Sequence, residues 1–174
     1  MSYEYLPKKV SQLIGQETKP VLAQVAVEKA LIEQFCEAFE DGNPIYTDEE
    51  YARLCGYDYV VAPPGALLMW SKRFVWTPLE GREEKEKDDL HYRLKQLMNR
   101  SVGIIQKVEI EYHKHLLLGD KVSVIQRIKN VSPEKETRLG VGNFWTIDSV
   151  YANQKGECVA IVHLTHFAYD EKQT

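Results

Sequence analysis

The chain has 174 residues, of which 44% are hydrophobic and 28% charged, as expected for one soluble globular domain. The formal net charge is −4 and the isoelectric point is near 5.8, which gives no support for a nucleic-acid surface rich in Lys and Arg. Three widely spaced cysteines fit neither a disulfide framework nor a zinc pattern, and no apolar run reaches the ~20 residues needed to span a bilayer. We therefore expect one cytoplasmic domain over residues 1–174, with no membrane or nucleic-acid partner.

The first part of the chain predicts an extended segment followed by an amphipathic helix. Residues 20–27, PVLAQVAV, are rich in β-branched side chains and indicate an extended segment. Residues 28–41 have helical spacing, with one apolar face formed by Leu31, Phe35, Ala38 and Phe39. We expect this helix to end at Gly42 and the Asn43-Pro44 pair, since glycine favours a helix end and proline pushes the preceding residue out of the α region.

Two shorter helices and a charged stretch are predicted next. Thr47 with Glu50 three residues later forms a capping box, which predicts the start of a second helix. A third helix is predicted to begin near Pro64, with residues 66–76 as its apolar body. The charged excursion at about 80–100 alternates in sign, so we expect a solvated helix or mobile loop with i,i+4 ion pairs.

From residue 101 onward the sequence predicts long β-strands. Four runs are rich in β-forming residues and lie at 104–117, 121–131, 138–153 and 157–170. Turn residues separate them at Gly119-Asp120, Ser132-Pro133 and Gln154-Lys155-Gly156. Together with segment 20–27, these strands suggest an antiparallel meander that wraps around the one mostly apolar helix near the start. The predicted fold class is α+β.

The order of several motifs resembles a known family. The motifs are D-G-N-P-I-Y at 41–46, Y-D-Y-V-V-A-P-P at 57–64, E-I-E-Y-H-K-H-L-L-L-G-D at 109–120 and Y-A-N-Q-K-G-E-C-V-A-I-V at 151–162. Their order and spacing are similar to the N-terminal MaoC-like dehydratase domain, a hot-dog fold family that includes (R)-specific enoyl-CoA hydratases and 3-hydroxyacyl-thioester dehydratases. The resemblance runs from about residue 12 to 169. It implies a single hot-dog domain and chemistry on acyl thioesters with no further cofactor; the thioester is of CoA or of a carrier protein, and we favour acyl-CoA because the acidic chain has no obvious basic docking patch for an acidic carrier.

The resemblance also implies a site on the turn after the first helix. In active members an Asp and a His, five positions apart, activate the water that adds across the α,β double bond. Asp41 matches the family's Asp, and Asn43 and Pro44 match its Asn-Pro pair, but the His position is Tyr46. A tyrosine, with a reference pKa near ~10, does not replace an imidazole poised near neutrality. Asp41 is therefore the candidate catalytic residue or an Asx-turn residue, and Tyr46 is a packing or tunnel-lining residue at the catalytic position.

A second departure from the family lies at the entry to the third helix. In active members a backbone N–H there is thought to face the thioester carbonyl. Pro64 in that place has no N–H, whereas a shift by one residue would put Gly65 there. Ala62, Pro63, Pro64 and Gly65 are candidate substrate-binding residues, together with Asn43 and Trp70. Trp70 can equally be a core residue.

No metal site is predicted. His113 and His115 lie two apart on a predicted strand and share a face, but no third ligand has suitable spacing, so we interpret them as surface or interface residues. His163 and His166 are three apart on a strand and face opposite ways. Cys36 lies beside the apolar helix face and is interpreted as a small buried hydrophobe.

These departures favour one half of a two-subunit hydratase. Active members are pairs of hot-dog folds with the acyl-CoA tunnel between them, and in heteromeric versions one half keeps Asp and His while the other accommodates a bulkier acyl group. We expect this chain to be the substrate-binding, catalytically impaired half, with an Asp-His-bearing MaoC-like partner. The alternatives are an active homodimeric enoyl-thioester hydratase that uses Asp41 with another base, and a non-enzymatic acyl-CoA-binding protein.

Overall fold

The computed structural model describes residues 3–71 and 90–171. The helices are α1 (Lys8–Ser11), α2 (Lys29–Phe39), α3 (Glu49–Leu54), α4 (Leu67–Trp70) and α5 (Leu90–Leu97), with 3₁₀ turns at Pro44–Tyr46 and Pro64–Ala66. The strands are β1 (Val21–Leu22), β2 (Val102–Tyr112), β3 (Ser123–Val131), β4 (Lys135–Glu136), β5 (Gly140–Ala152) and β6 (Cys158–Glu171). The end of the predicted third helix and the first part of the charged excursion, residues 72–89, lie outside the described residues.

The strands form an antiparallel sheet in the order β1-β3-β5-β6-β2, with β4 paired to β5 beside this path. The expected meander is wrong at one point, since β2 pairs with the last strand β6 and not with β3. The chain leaves the sheet after β2, where the Ala62 N–H donates to Leu116 O at 2.8 Å and the Leu118 N–H donates to Val60 O at 3.1 Å. The segment between β2 and β3 therefore bonds to residues 60–62 and not to the sheet, and β3 pairs with β5 on the side of β5 away from β6.

Helix α2 is the centre of the main core. Its Ile32 and Cys36 side chains are buried, and their cluster includes sheet residues Val159, Ala160 and Val162. The buried face is rotated from the predicted one, because Phe35 is only partly buried and Phe39 is 68% exposed and stacks on Phe35 with 4.4 Å between ring centroids. The predicted α+β class, with an antiparallel sheet around a central helix, is confirmed.

The C-terminus of α2 and the N-terminus of α3 both differ from what the sequence predicted. Helix α2 stops at Phe39 because Glu40 adopts the left-handed conformation with φ 53°, and the next amide, that of Asp41, donates to Cys36 O at 2.9 Å. The predicted stop at Gly42 is therefore too late. Helix α3 is capped by Asp48, whose Oδ1 accepts from two backbone amides, and not by the predicted Thr47 box.

The expectation that the charged excursion is a solvated segment is wrong for its described part, helix α5, which packs against the core. Leu90 and Leu94 are buried in a second core cluster with Val10, Ile128, Trp145 and Ile147.

Among the described helices, none combines the length and apolar character that crossing a membrane requires.

Candidate functional site

The turn that follows α2 is shaped by two consecutive side-chain hydrogen bonds. Asp41 Oδ1 accepts from the Asn43 N–H at 3.2 Å, and Asn43 Oδ1 accepts from the Ile45 N–H at 3.2 Å. The Asx interpretation of Asp41 therefore has a matching contact in the structure. Both of these bonds join a side chain to a backbone amide, and the Asn43 side chain also forms a hydrogen bond with Tyr46.

Tyr46 is half-buried beside α2, and its surroundings oppose ionisation. Burial raises the pKa of the Tyr46 hydroxyl, the nearby Asp41 carboxylate and Cys36 raise it further, and a hydrogen bond with the Asn43 side chain acts in the opposite direction. Burial also raises the pKa of the Cys36 thiol, with Asp41 adding to the effect. The Tyr46 hydroxyl is therefore neutral near pH 7 and can donate a hydrogen bond, but it cannot accept a proton as a histidine would.

The segment that enters the next helix is tied to this turn. The Val61 N–H donates to Ile45 O at 3.1 Å, which holds the buried residues Ala62 and Pro63 beside the turn. Pro64 begins the 3₁₀ turn and has no N–H, so Gly65 supplies the first amide of this helix start.

Gly65 also lies close to α2. A Cβ at this position would lie 3.0 Å from the Phe35 ring carbon Cζ, which is tighter than ordinary van der Waals contact. Gly65 is therefore an exposed residue that lies next to the Phe35 ring. An apolar surface beside a hydrogen-bond donor is the combination that a thioester carbonyl with an acyl chain requires.

A cavity of about 110 Å³ is lined in part by this segment. It is lined by Ala62, Pro63, Pro64, Leu67, Tyr112, His113, Lys114, His115, Leu116 and Val159. Of the sequence-predicted substrate residues, the structure brings three to this cavity, whereas Asp41, Asn43, Tyr46, Gly65 and Trp70 are not among its lining residues. The predicted site thus consists of two neighbouring parts, the turn and the cavity.

The cavity includes residues whose position the sequence did not reveal. His113 and His115 were predicted on a strand, but β2 ends at Tyr112, and both histidines lie in the following segment. The Tyr112 hydroxyl donates to Pro64 O at 3.2 Å and so joins the end of β2 to the helix entry. The motif E-I-E-Y-H-K-H, which carried the family resemblance, was the signal that could have pointed to this end of the strand.

Trp70 belongs to the interior beneath the site. It is fully buried in the core cluster that also contains Ile32 and Tyr151. Burial raises the pKa of the Tyr151 hydroxyl, and a hydrogen bond with Ser71 offsets part of this rise. This position agrees with the interpretation of Trp70 as a core residue.

A polar network on the opposite face of the sheet was not anticipated. The ring nitrogens of His163 lie 2.6 Å from Asp148 Oδ1 and 3.1 Å from Glu111 Oε1, and Arg127 Nε donates to Asp148 Oδ2 at 3.2 Å. Asp148 is buried although it is ionisable, and these contacts satisfy both of its oxygens. Within residues 3–71 and 90–171, no group of three or more His, Cys, Asp and Glu side chains is arranged to hold a metal ion.

Comparison with known proteins defines the protein family of this chain. The chain belongs to the family described as FAS1-like, dehydratase domain region, whose family model matches residues 12–162. The resemblance to MaoC-like dehydratases is thereby confirmed, and solved MaoC-like dehydratases share the fold.

Individual relatives are similar over most of this chain. A probable enoyl-CoA hydratase alpha subunit of Thermomonospora curvata is 34% identical over 176 residues, covering 100% of this chain and 55% of that protein. The 3-oxo-4,17-pregnadiene-20-carboxyl-CoA hydratase alpha subunit of Mycobacterium tuberculosis is 33% identical over 143 residues, covering 80% of this chain and 43% of that protein. The chain thus spans about half the length of these curated relatives.

A solved structure matches almost the whole chain. One chain in the crystal structure of the ChsH1-ChsH2 complex from Mycobacterium tuberculosis superposes with a TM-score of 0.82 and 28% sequence identity. The match covers 95% of this chain and 96% of that chain. The fold of that chain is therefore the fold of this one over nearly its full length.

Proposed function

We propose that this chain is the substrate-binding, catalytically impaired half of an enoyl-CoA hydratase or 3-hydroxyacyl-thioester dehydratase. Its partner is a MaoC-like subunit that carries the Asp and the His. The observation that carries the proposal is Tyr46 at the histidine position, half-buried and with a raised pKa beside Asp41. The similarity to two proteins named as hydratase alpha subunits, and to a chain of a two-protein complex, supports a hydratase-type subunit of a hetero-oligomer.

The chemistry of hydration explains why this chain needs a partner. The water oxygen bonds to the β carbon, one water proton passes to a base, and a proton is delivered to the α carbon as the enolate collapses. Asp41 can accept a proton, but the neutral Tyr46 hydroxyl cannot complete the pair. The Gly65 amide remains suited to bind the thioester oxygen, and in this proposal the chain binds and orients substrate while the partner transfers protons.

The size of the cavity supports a site shared between two chains. At about 110 Å³, this cavity is well below the several hundred cubic ångströms of a typical small-molecule pocket, so the described residues that line it do not by themselves enclose an acyl-CoA. We propose a bulky acyl-CoA thioester as substrate, long-chain or polycyclic, since one similar protein is named for a pregnadiene-carboxyl-CoA. No cofactor takes part in the proposed reaction.

The test is a hydration assay on the chain alone and in complex with the Asp-His-bearing subunit of its host. Loss of the absorbance of the conjugated enoyl thioester reports the reaction. We expect turnover only in the complex, abolition by Asp→Asn in the partner, and a small effect of Asp41→Asn in this chain. Full activity of the isolated chain would overturn the proposal.

A second candidate is an active homodimer that uses Asp41 with a different base. The position of His113 and His115 at the cavity beside Pro63 and Pro64 favours it, because imidazole is a common general base in catalysis. This alternative predicts that Asp41→Asn abolishes turnover by the isolated chain while Tyr46→Phe leaves it unchanged. A non-enzymatic acyl-CoA-binding protein would instead bind the thioester without turnover in any combination.

A further inference from the structure

A second cavity lies between helices α1 and α5. Its volume is about 610 Å³, which is in the range of typical small-molecule pockets. It shares no lining residue with the cavity beside Pro64, so the proposed hydratase function leaves it without a role. The residues that line it are Lys9, Gln12, Leu13, Gln16, Arg93 and Leu97.

The wall formed by α1 and the turn after it is fixed by backbone hydrogen bonds. The Gln16 N–H donates to Leu13 O at 3.1 Å, and the Gly15 N–H donates to Ile128 O at 2.9 Å. The second bond ties the turn to strand β3, and Gly15 takes φ 79°, which glycine adopts without strain. This wall is therefore shaped by the fold and does not need a ligand to form.

Part of the lining is apolar and continuous with the protein interior. Leu13 and Leu97 are partly buried and pack against the second core cluster. Leu97 lies four residues after Arg93 in α5, so the two side chains are on the same face of the helix. Among the described residues, no aromatic side chain lines this cavity. The apolar part therefore suits an aliphatic chain better than a ring that needs a stacking partner.

The polar part of the lining carries positive charge. Lys9 and Arg93 are exposed, and in the part of the chain that the structure describes neither forms an ion pair. No described carboxylate lines the cavity, whereas Gln12 and Gln16 add amide groups that can donate and accept hydrogen bonds. The whole chain has a net charge of −4, so this local surface runs against its overall charge. An anionic group entering the cavity would therefore meet two cations and no described like charge.

We propose that this cavity binds an aliphatic carboxylate such as a medium-chain fatty acid. The carboxylate lies between Lys9 and Arg93, whose planar guanidinium can donate two parallel hydrogen bonds to it. The hydrocarbon chain lies against Leu13 and Leu97. This site is separate from the cavity beside Pro64, and the inference does not depend on the proposed hydratase function.

The first test is a calorimetric titration of the full chain with decanoate. We expect saturable one-to-one binding, because decanoate carries both the charge and the aliphatic chain. Decanol lacks the charge and acetate lacks the chain, so each should bind at least about tenfold more weakly. Equal binding of decanoate and decanol would contradict the role of the two cations.

A pair of arginine substitutions provides the second test. Arg93→Gln removes one cation of the cavity, and the matched control Arg53→Gln removes an exposed arginine on α3, which does not line the cavity. Both positions are exposed, so the melting temperatures should stay within about 2 °C of the wild type. We expect about tenfold weaker decanoate binding for Arg93→Gln and unchanged binding for Arg53→Gln.

Amide NMR spectra of the isotope-labelled chain show where decanoate binds. Chemical-shift changes should be confined to residues 9–16 and 93–97 and be absent from residues 112–116, which line the cavity beside Pro64. Changes at 112–116 instead, equal binding by Arg93→Gln and the wild type, or no saturable binding up to about 1 mM would overturn the inference. The proposed hydratase function is tested separately, by turnover of the two-subunit complex.

Discussion

Replacing Glu40 with glycine should stabilise the chain, although glycine usually weakens a helix. Glu40 follows α2 with φ 53°, and a non-glycine residue in the left-handed region carries a cost of about 1–2 kcal/mol. Glycine removes that cost but loses about 0.5–1 kcal/mol through the greater freedom of the unfolded chain. We expect a net gain of roughly 0.5–1 kcal/mol, which corresponds to a rise in melting temperature of about 1–4 °C for a chain of this size.

The control for this experiment is Glu33→Gly, an exposed position inside the same helix. There the backbone is right-handed, so glycine should destabilise the chain by about 0.5–1 kcal/mol. Thermal unfolding followed by circular dichroism measures both variants on the same scale. If the two glycine variants are destabilised equally, the left-handed end of α2 is not a source of strain and the account of how the turn at Asp41 begins is wrong.

Three further predictions concern the core and the ion pair between Arg100 and Asp170. Ile32→Ala removes a fully buried side chain between α2 and the sheet and should lower the free energy of unfolding by about 2–5 kcal/mol in denaturant titration. Arg100→Met leaves the partly exposed Asp170 and the buried Asn143 without their guanidinium partner and should cost about 1–3 kcal/mol in the same assay. The pKa of Asp170 is lowered chiefly by its bond to Arg100, so its contribution to stability is present above the ordinary value of 3.8 and is lost as the pH falls through the lower folded value. Asp170→Asn should therefore make stability less steeply dependent on pH below about 4, and an unchanged slope would contradict this origin of the shift.

Periodicity was sufficient to predict the main elements of the fold. The apolar spacing of residues 28–41 predicted α2, and the β-rich runs after residue 101 predicted the long strands. Both signals depend on neighbouring residues only. The end of α2 was misplaced because the left-handed residue is Glu40, and sequence rules favour glycine there.

Pairing between distant segments was beyond these rules. No local sequence signal distinguishes a sheet in which β2 pairs with β3 from one in which β2 pairs with β6. The observed pairing goes together with backbone hydrogen bonds between residues 116–118 and residues 60–62, which are distant in sequence. The contact of His163 with Asp148 likewise exists only once β5 and β6 are in register. For the same reason the sequence named Pro63 and Pro64 as site residues but did not place His113 and His115 beside them.

The division of the site into a turn and a cavity explains how family resemblance and altered chemistry coexist in this chain. The turn is held by the Asp41 and Asn43 side chains bonding to backbone amides, and by the Val61 amide bonding to Ile45 O, none of which needs an imidazole at position 46. In the proposed function, the turn that positions the substrate is therefore kept while the residue at the family's histidine position differs. Tyr46 adds a half-buried neutral ring in its place, and because the neighbouring carboxylate raises its pKa further, no small change in pH restores a base there. In the proposed two-subunit function, proton transfer therefore comes from the partner chain, while this chain supplies the turn and the cavity that hold the substrate.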